Sequence, residues 1–262
     1  MVEEKDQEKQ EHNEKVMPFL DHLEELRTRL LIAIIAIFGA TIVCYFFSQM
    51  IMTILTRPYY EATSSLGYES KKLIFLAPAE SFIISIKISL FAGIFLSLPI
   101  LFYQLWKFVV PGLLEKEKKI VPIVAVFSTL FFLVGAAFCY FVIIPYGLKF
   151  LLGWQPGSLE ASITIKEYLK FVTMLVLVFG LVFELPLLSF FLTKMGLLTH
   201  HFMRKNRRYG IVLTFILAAI LTPPDIVTQL LLAGPLILLY EISIIVSKFV
   251  SKKKVEHDSD SS

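Results

Sequence analysis

Long apolar runs alternate with short polar or charged segments along most of this chain. A helix needs about 20 apolar residues to cross a bilayer, and four runs reach that length. A fifth apolar block, over residues 209–246, is too long for one helix, and the prolines of "TPPD" at 222–225 divide it. The pattern therefore predicts six transmembrane helices, over residues 30–51, 82–106, 121–144, 168–192, 209–222 and 227–247. A re-entrant fifth segment is the alternative to a full crossing.

Prolines stand within or beside several of these predicted helices. Because proline has no N–H and clashes with the preceding turn, it breaks or bends a helix. We therefore predict an all-α polytopic membrane protein whose kinked helices form a curved, concave bundle. The residues concerned are Pro99, Pro122, Pro145, Pro186 and Pro235.

Positive charges indicate how the predicted helices are oriented in the membrane. Eighteen Lys and Arg residues fall on the side that carries both termini, and six fall on the other side. Lys87 lies inside the second span, belongs to neither count, and is expected to reach outward to the interface. Since cytoplasmic loops carry the excess of Lys and Arg, both ends of the chain are predicted to be cytoplasmic.

Composition supports a membrane class and excludes others. The 262 residues are 56% hydrophobic, and the net charge of +3 is too small to suggest binding to nucleic acid. We expect one membrane domain over residues 18–250, with disordered cytoplasmic tails at 1–17 and 251–262. Cys44 and Cys139 lie in apolar runs and are expected to be buried thiols, with a disulfide as the alternative. HExxH, GxSxG and Cys/His metal spacings are absent from the sequence, so we predict no catalytic residue, metal or cofactor.

Acidic residues occupy two positions on the predicted cytoplasmic face, where lysine and arginine are the usual residues. The stretch "FLDHLEELRTRLL" at 19–31 is amphipathic, with Glu24 and Glu25 on its polar arc. The loop "WKFVVPGLLEKEKKIVP" at 106–122 places Glu115 and Glu117 among lysines. These acids are either a solvated face, with a Glu25–Arg29 ion pair, or two sites for cationic groups of a ligand.

Four sequence blocks, in this order, closely resemble the TatC family. They are "FLDHLEELRTRLL", "LPILFYQLWKFVVPGLLEKEKK", "FGLVFELPL" and "LTPPDIVTQLLLAGPLILLYEIS". The resemblance covers about residues 18–250 and implies the multispanning subunit of the twin-arginine translocase in the bacterial inner membrane. It implies a receptor for the twin-arginine signal peptides of folded proteins. It also implies that the proton-motive force drives their export. The implied partners are TatA- and TatB-like single-span subunits, the lipid bilayer and further copies of the receptor.

The resemblance also assigns expected roles to individual residues. Glu25 and Glu117 match the positions that hold the two arginines of the signal peptide, although Glu115 is close enough to be the loop ligand instead. Arg27, Phe108 and Pro58 match positions associated with signal-peptide handling or with shape. Helix termination is the alternative role for Pro58, and interfacial packing is the alternative for Phe108.

Two polar residues are expected inside the membrane. A charged carboxylate there costs about 2.5–3.5 kcal/mol, so Glu184 is expected to line a polar cavity, or to stay protonated and hydrogen-bonded to a Ser or Thr. Gln229 resembles the family's polar contact with the single-span subunits. Because intramembrane acids can also mark ion paths, the alternative function is a secondary transporter or channel that uses Glu184.

Overall fold

Helices make up almost all of the described structure. The computed structural model describes the backbone of residues 2–67, 72–109, 121–154, 162–222 and 225–259, and the side chains of 23–67, 72–109, 121–154, 162–222 and 225–251. Within these ranges, strand-like pairing is limited to an isolated parallel bridge between Ile74 and Thr164. The predicted all-α class is therefore confirmed.

Ten α-helices and one π-helical turn follow one another along the described chain. In order they are α1 (Val2–Phe46), α2 (Ser48–Ser65), α3 (Glu80–Val109), α4 (Val121–Phe138), the π-turn (Cys139–Ile143), α5 (Ile144–Gly153), α6 (Ile165–Phe183), α7 (Leu185–Lys194), α8 (His200–Lys205), α9 (Arg207–Leu221) and α10 (Ile226–Ser259).

Membrane-crossing length is reached by five helical stretches among the described residues. They are Leu23–Phe46, Glu80–Val109, Val121–Gly153, Ile165–Lys194 and Ile226–Ser251. These stretches confirm the multi-pass membrane class. The predicted fifth span corresponds to α9, whose 15 residues extend only about 22 Å against a hydrocarbon core of about 30 Å. The count of six crossings and the orientation of the termini stay predictions.

The apolar run over residues 30–51 contains parts of two helices where the sequence pattern suggested one. Helix α1 ends at Phe46 and α2 begins at Ser48. The apolar run continues past residue 46 because one face of α2 is also apolar. The residues Leu55, Tyr59 and Ala62 of that face are buried. Periodicity alone cannot separate two consecutive apolar helices.

Two of the predicted proline breaks coincide with interruptions of a helix. Pro145 is the second residue of α5, which follows the π-turn, and Pro186 is the second residue of α7, which follows Glu184. In contrast, Pro99 and Pro235 lie inside α3 and α10, which continue through them. A proline inside a membrane helix is tolerated where neighbouring groups satisfy the freed carbonyl.

The chain divides into two compact units. The first consists of residues Met1–Phe46 and Ser89–Phe127, and the second of Phe47–Ile88 and Ser128–Ser262. Side chains of residues 1–22 and 252–262 lie outside the described part, so the disordered tails stay a prediction. The single membrane domain over residues 18–250 also stays a prediction.

In the first unit, α1 and α3 approach each other until their backbones nearly touch. A Cβ atom added to Gly93 of α3 would lie 2.5 Å from Thr41 Oγ1 and 2.8 Å from the Thr41 backbone nitrogen on α1. Since real Cβ atoms do not come this close to backbone, glycine is required at this crossing. Small residues serve this purpose widely in membrane helix packing.

The second unit holds its helices together with reciprocal glycine–phenylalanine contacts and with polar contacts. The Phe132 ring of α4 packs over Gly180 of α6, and the Phe183 side chain of α6 packs over Gly135 of α4. Between α7 and α10, the Ser189 hydroxyl donates to the Ser243 carbonyl at 3.1 Å, and one helical turn further Thr193 donates to Ser247 Oγ at 2.7 Å.

Candidate functional site

An open groove in the first unit contains the acids of the amphipathic stretch. Its volume is about 440 Å³, and it lies between α1 and the last turns of α3. The lining residues are Glu24, Glu25, Thr28, Arg29 and Ile32 from α1 and Gln104 and Lys107 from α3. The groove therefore offers carboxylates at the end of the apolar part of α1, as the sequence indicated.

Glu25 is the half-buried acid of this groove and already holds a guanidinium. Arg29 Nε donates to Glu25 Oε1 at 3.1 Å, and Arg29 Nη2 contacts the same oxygen. The Arg29 side chain is only 12% exposed and that of Glu25 is 32% exposed. The predicted Glu25–Arg29 pair is confirmed, and its two donors on one carboxylate show that the groove accommodates a guanidinium group.

Two groove residues were missed by the sequence analysis. Gln104 and Lys107 lie three residues apart on α3, which puts them on one helix face towards α1. The Lys107 ammonium also stands 5.8 Å from the centre of the Tyr103 ring. The sequence pattern does not predict that α3 packs against α1, because this contact depends on the close approach of the two helices at Gly93.

The other residues expected to handle a signal peptide do not line this groove in the described structure. Arg27 is exposed and lies about 200° around α1 from Glu25, at 100° per residue. Phe108 is half-buried on α3, next to Lys107. Pro58 lies inside α2 of the second unit, where it is buried. The loop acids Glu115 and Glu117 fall outside the described residues.

Glu184 is buried, with 4% of its surface exposed, at the break between α6 and α7. The Ser128 hydroxyl and the Phe132 backbone hydrogen-bond its carboxyl group. Its Oε1 atom finds no hydrogen-bond partner within the described residues. The hydrogen bond between Glu184 and Ser128 agrees with the predicted alternative, in which a Ser or Thr side chain binds this carboxyl group. The Oε1 atom can still accept a hydrogen bond from another donor.

Gln229 lies near the start of α10 and faces α9. Its Nε2 group donates to the Phe215 carbonyl of α9 at 3.1 Å, and the side chain is half-buried. One residue earlier, the Thr228 backbone N–H donates to Asp225 Oδ1 at 2.7 Å and caps α10. Gln229 thus tethers α9 to α10 in the described structure, and its contact with a single-span subunit stays a prediction.

Comparisons with known proteins agree with the family resemblance of the four sequence blocks. The family described as Sec-independent protein translocase protein (TatC) matches residues 21–235. The chain is 44% identical over 94% of its length to the Sec-independent protein translocase protein TatC of Desulforapulum autotrophicum, covering 89% of that protein. It is 40% identical to the TatC protein of Aquifex aeolicus, over 92% of this chain and 98% of that one.

Solved structures show that the fold is similar as well as the sequence. A crystal structure of the twin arginine translocase receptor TatC superposes with a TM-score of 0.78 at 39% identity. That match covers 88% of this chain and 99% of the other. The family match, the close relatives and the shared fold together lead to one conclusion: this chain belongs to the TatC family of Sec-independent protein translocase proteins.

Proposed function

We propose that this protein is the receptor that binds twin-arginine signal peptides of folded proteins at the groove around Glu25. The observation that carries the proposal is the guanidinium of Arg29 held on Glu25 Oε1 by two nitrogen atoms. A carboxylate that accommodates one arginine side chain in a groove open to solvent can accept another. The solved relative that superposes on this chain is itself named a twin arginine translocase receptor.

A second carboxylate is needed because of peptide geometry. In an extended segment, neighbouring side chains point to opposite sides, so two consecutive arginines reach two different places. Helix α3 lines the groove at Lys107 and ends at Val109, and Glu117 follows eight residues later in the chain. By the family resemblance, we assign the second arginine to Glu117, with Glu115 as the neighbouring alternative.

A guanidinium of the peptide would replace that of Arg29 on Glu25. The Arg29 side chain is only 12% exposed, so separating this pair costs more than separating an exposed pair with the same spacing. The incoming arginine offsets that cost because it regains the same charge-assisted hydrogen bonds. Lysine offers no planar fork, which favours Arg-Arg over Lys-Lys.

The remaining roles rest on the family resemblance. We propose that Arg27, Phe108 and Pro58 contribute to signal-peptide handling outside the groove itself, and that Gln229 contacts a TatA- or TatB-like single-span subunit. We further propose that the receptor self-associates and nucleates assembly of the translocation site. The proton-motive force is the energy source that the family implies for export.

Photocrosslinking of a twin-arginine peptide to the protein in membranes tests the proposed receptor role. Glu25→Ala and Glu117→Ala should each lower crosslinking about tenfold or more, because each removes a charged hydrogen-bond partner. The matched controls Glu24→Ala and Glu115→Ala remove the same charge one or two positions away and should have less effect. Equal losses in the Glu25 and Glu24 variants would contradict a site-specific contact.

A further inference from the structure

A second cavity, in the second unit, combines opposite charges with an apolar rim. It has a volume of about 350 Å³ and lies between α2 and the π-turn that precedes α5. Its polar lining consists of Arg57, Glu61 and Tyr140, and its apolar lining includes Ile54 and Phe141. None of these residues lines the groove around Glu25, although Pro58, which also lines the cavity, is assigned above to signal-peptide handling outside that groove.

The two charges of this cavity lie side by side and remain open to the surroundings. Arg57 Nε donates to Glu61 Oε1 at 2.6 Å, while the two side chains stay 73% and 58% exposed. Glu61 raises the pKa of the Arg57 guanidinium through this hydrogen bond and through its charge. The terminal nitrogens of Arg57 make no hydrogen bond to another residue of the described chain, so they can bind an anionic group.

One wall of the cavity is fixed by a tyrosine–proline arrangement. Pro58 has no N–H, so the Ile54 carbonyl four residues earlier lacks its usual helical donor. The Tyr140 hydroxyl supplies the missing hydrogen bond at 2.6 Å. This contact holds the π-turn against α2 and keeps Tyr140 close to the Arg57–Glu61 pair.

The depth of the cavity fits the membrane interface. Counted from Val121, where α4 begins, Tyr140 lies about 30 Å along the helix axis at 1.5 Å per residue, which is the thickness of a hydrocarbon core. Phe141 is 72% exposed, and beyond it Tyr146 and Trp154 are also exposed, as in the aromatic belts of membrane proteins. Charged groups therefore stand at the boundary, with an apolar rim towards the acyl chains.

We propose that this cavity binds the headgroup of a phospholipid that carries both a phosphate and a primary ammonium group, namely phosphatidylethanolamine. Arg57 would hold the phosphate through its free terminal nitrogens, and Glu61 would accept hydrogen bonds from the ammonium. The acyl chains would run along Ile54 and Phe141. Phosphatidylglycerol offers no cation for Glu61, and the quaternary ammonium of phosphatidylcholine has no N–H to donate.

Native mass spectrometry of the detergent-purified protein tests this site. The protein is titrated with equal concentrations of phosphatidylethanolamine, phosphatidylglycerol and phosphatidylcholine that share the same acyl chains. Arg57→Gln and Glu61→Gln are compared with the wild type. Lys166→Gln and Glu167→Gln serve as controls, since they remove the same charges from exposed neighbours at the start of α6. Because the Arg57–Glu61 pair is exposed, its loss should leave the fold intact.

We expect one phosphatidylethanolamine to bind the wild type at least fivefold more tightly than either other lipid. Arg57→Gln should lower that affinity about tenfold, since a charged hydrogen bond to phosphate is lost. Glu61→Gln should bring phosphatidylethanolamine and phosphatidylglycerol to within twofold, while both controls keep the preference. Equal binding of the three lipids by the wild type, a preference for phosphatidylglycerol, or an unchanged affinity for phosphatidylethanolamine in Arg57→Gln would overturn the proposal.

Discussion

Tyr140 and Tyr168 make similar hydrogen bonds to α2 but satisfy different needs there. Tyr140 donates to the Ile54 carbonyl at 2.6 Å, and Tyr168 donates to the Leu55 carbonyl at 2.9 Å. Pro58 cannot supply a helical N–H to Ile54, whereas Tyr59 can supply one to Leu55. Losing the Tyr140 hydroxyl therefore strands a carbonyl, and losing the Tyr168 hydroxyl does not.

Thermal unfolding in detergent should distinguish the two tyrosines. Tyr140→Phe should lower the free energy of unfolding by about 0.5–1.5 kcal/mol, because the Ile54 carbonyl loses the hydrogen bond that replaces its helical donor. Tyr168→Phe should cost about half as much, although Tyr168 is the more buried residue. In a Pro58→Ala background, where residue 58 regains its N–H, the cost of Tyr140→Phe should shrink. An identical cost in both backgrounds would mean that Tyr140 acts through ring packing instead.

Residue-scale contacts were predictable from sequence only within one helix. The Glu25–Arg29 pair follows from a spacing of four residues, and the structure contains it. Gln104 and Lys107 belong to a different helix, so their place in the groove depends on tertiary packing at Gly93. Tertiary neighbours of this kind leave no periodic signal in a single sequence.

At the scale of elements, the junction between α6 and α7 places a carboxyl group, that of Glu184, inside an apolar stretch. Glu184 lies between α6 and α7, Pro186 is the second residue of α7, and the carboxyl group of Glu184 contacts Ser128 on α4. A buried carboxyl group with one oxygen lacking a partner among the described residues can gain a new hydrogen bond when a ligand or a partner helix arrives. We propose that Glu184 acts in a transport step that follows signal-peptide binding.

Separate measurements of binding and transport test that role. Glu184→Leu should leave signal-peptide crosslinking unchanged and reduce export of a folded substrate, because it removes every hydrogen bond of the side chain. Glu184→Gln should be milder, since the amide still bonds to Ser128. The same export rate in Glu184→Leu as in the wild type would assign this residue to structure alone.

Elements were predicted where composition changes, and missed where it does not. The break at Glu184 follows from Pro186 in the sequence. The division between α1 and α2 and the π-turn at Cys139–Ile143 occur within unbroken apolar runs, so hydropathy gives no sign of them. Most of helix α2 lies between the first two predicted spans, because its apolar face packs against the protein and is too short to span a bilayer.

On the scale of the whole molecule, this TatC family member is a multi-pass component of the twin-arginine translocase in the bacterial cytoplasmic membrane. The five long apolar helical stretches among the described residues account for most of the predicted crossings, and α9 decides the rest. If α9 crosses the membrane, α10 returns to the cytoplasm and both termini share one side. If α9 re-enters, the carboxyl terminus lies outside.

Cysteine labelling of intact cells tests this topology. Leu66→Cys and Ile226→Cys should react with a membrane-impermeant maleimide, and Lys205→Cys and Glu256→Cys should react only after the cells are opened. Background labelling should be low, because the native Cys44 and Cys139 are buried. Labelling of residue 205 from outside would contradict the predicted orientation, and protection of residue 226 together with labelling of 256 would indicate a re-entrant α9.

Recognition of two arginines by two carboxylates is tested most directly by a double-mutant cycle between receptor and peptide. Binding of Arg-Arg and Lys-Lys peptides is measured on the wild type, Glu25→Ala and Glu117→Ala in membranes. Each substitution should weaken the Arg-Arg peptide about ten- to a hundredfold, and should weaken the Lys-Lys peptide much less, since that peptide has already lost its planar forks. Equal losses for the two peptides in both variants would contradict direct contact between these acids and the arginines.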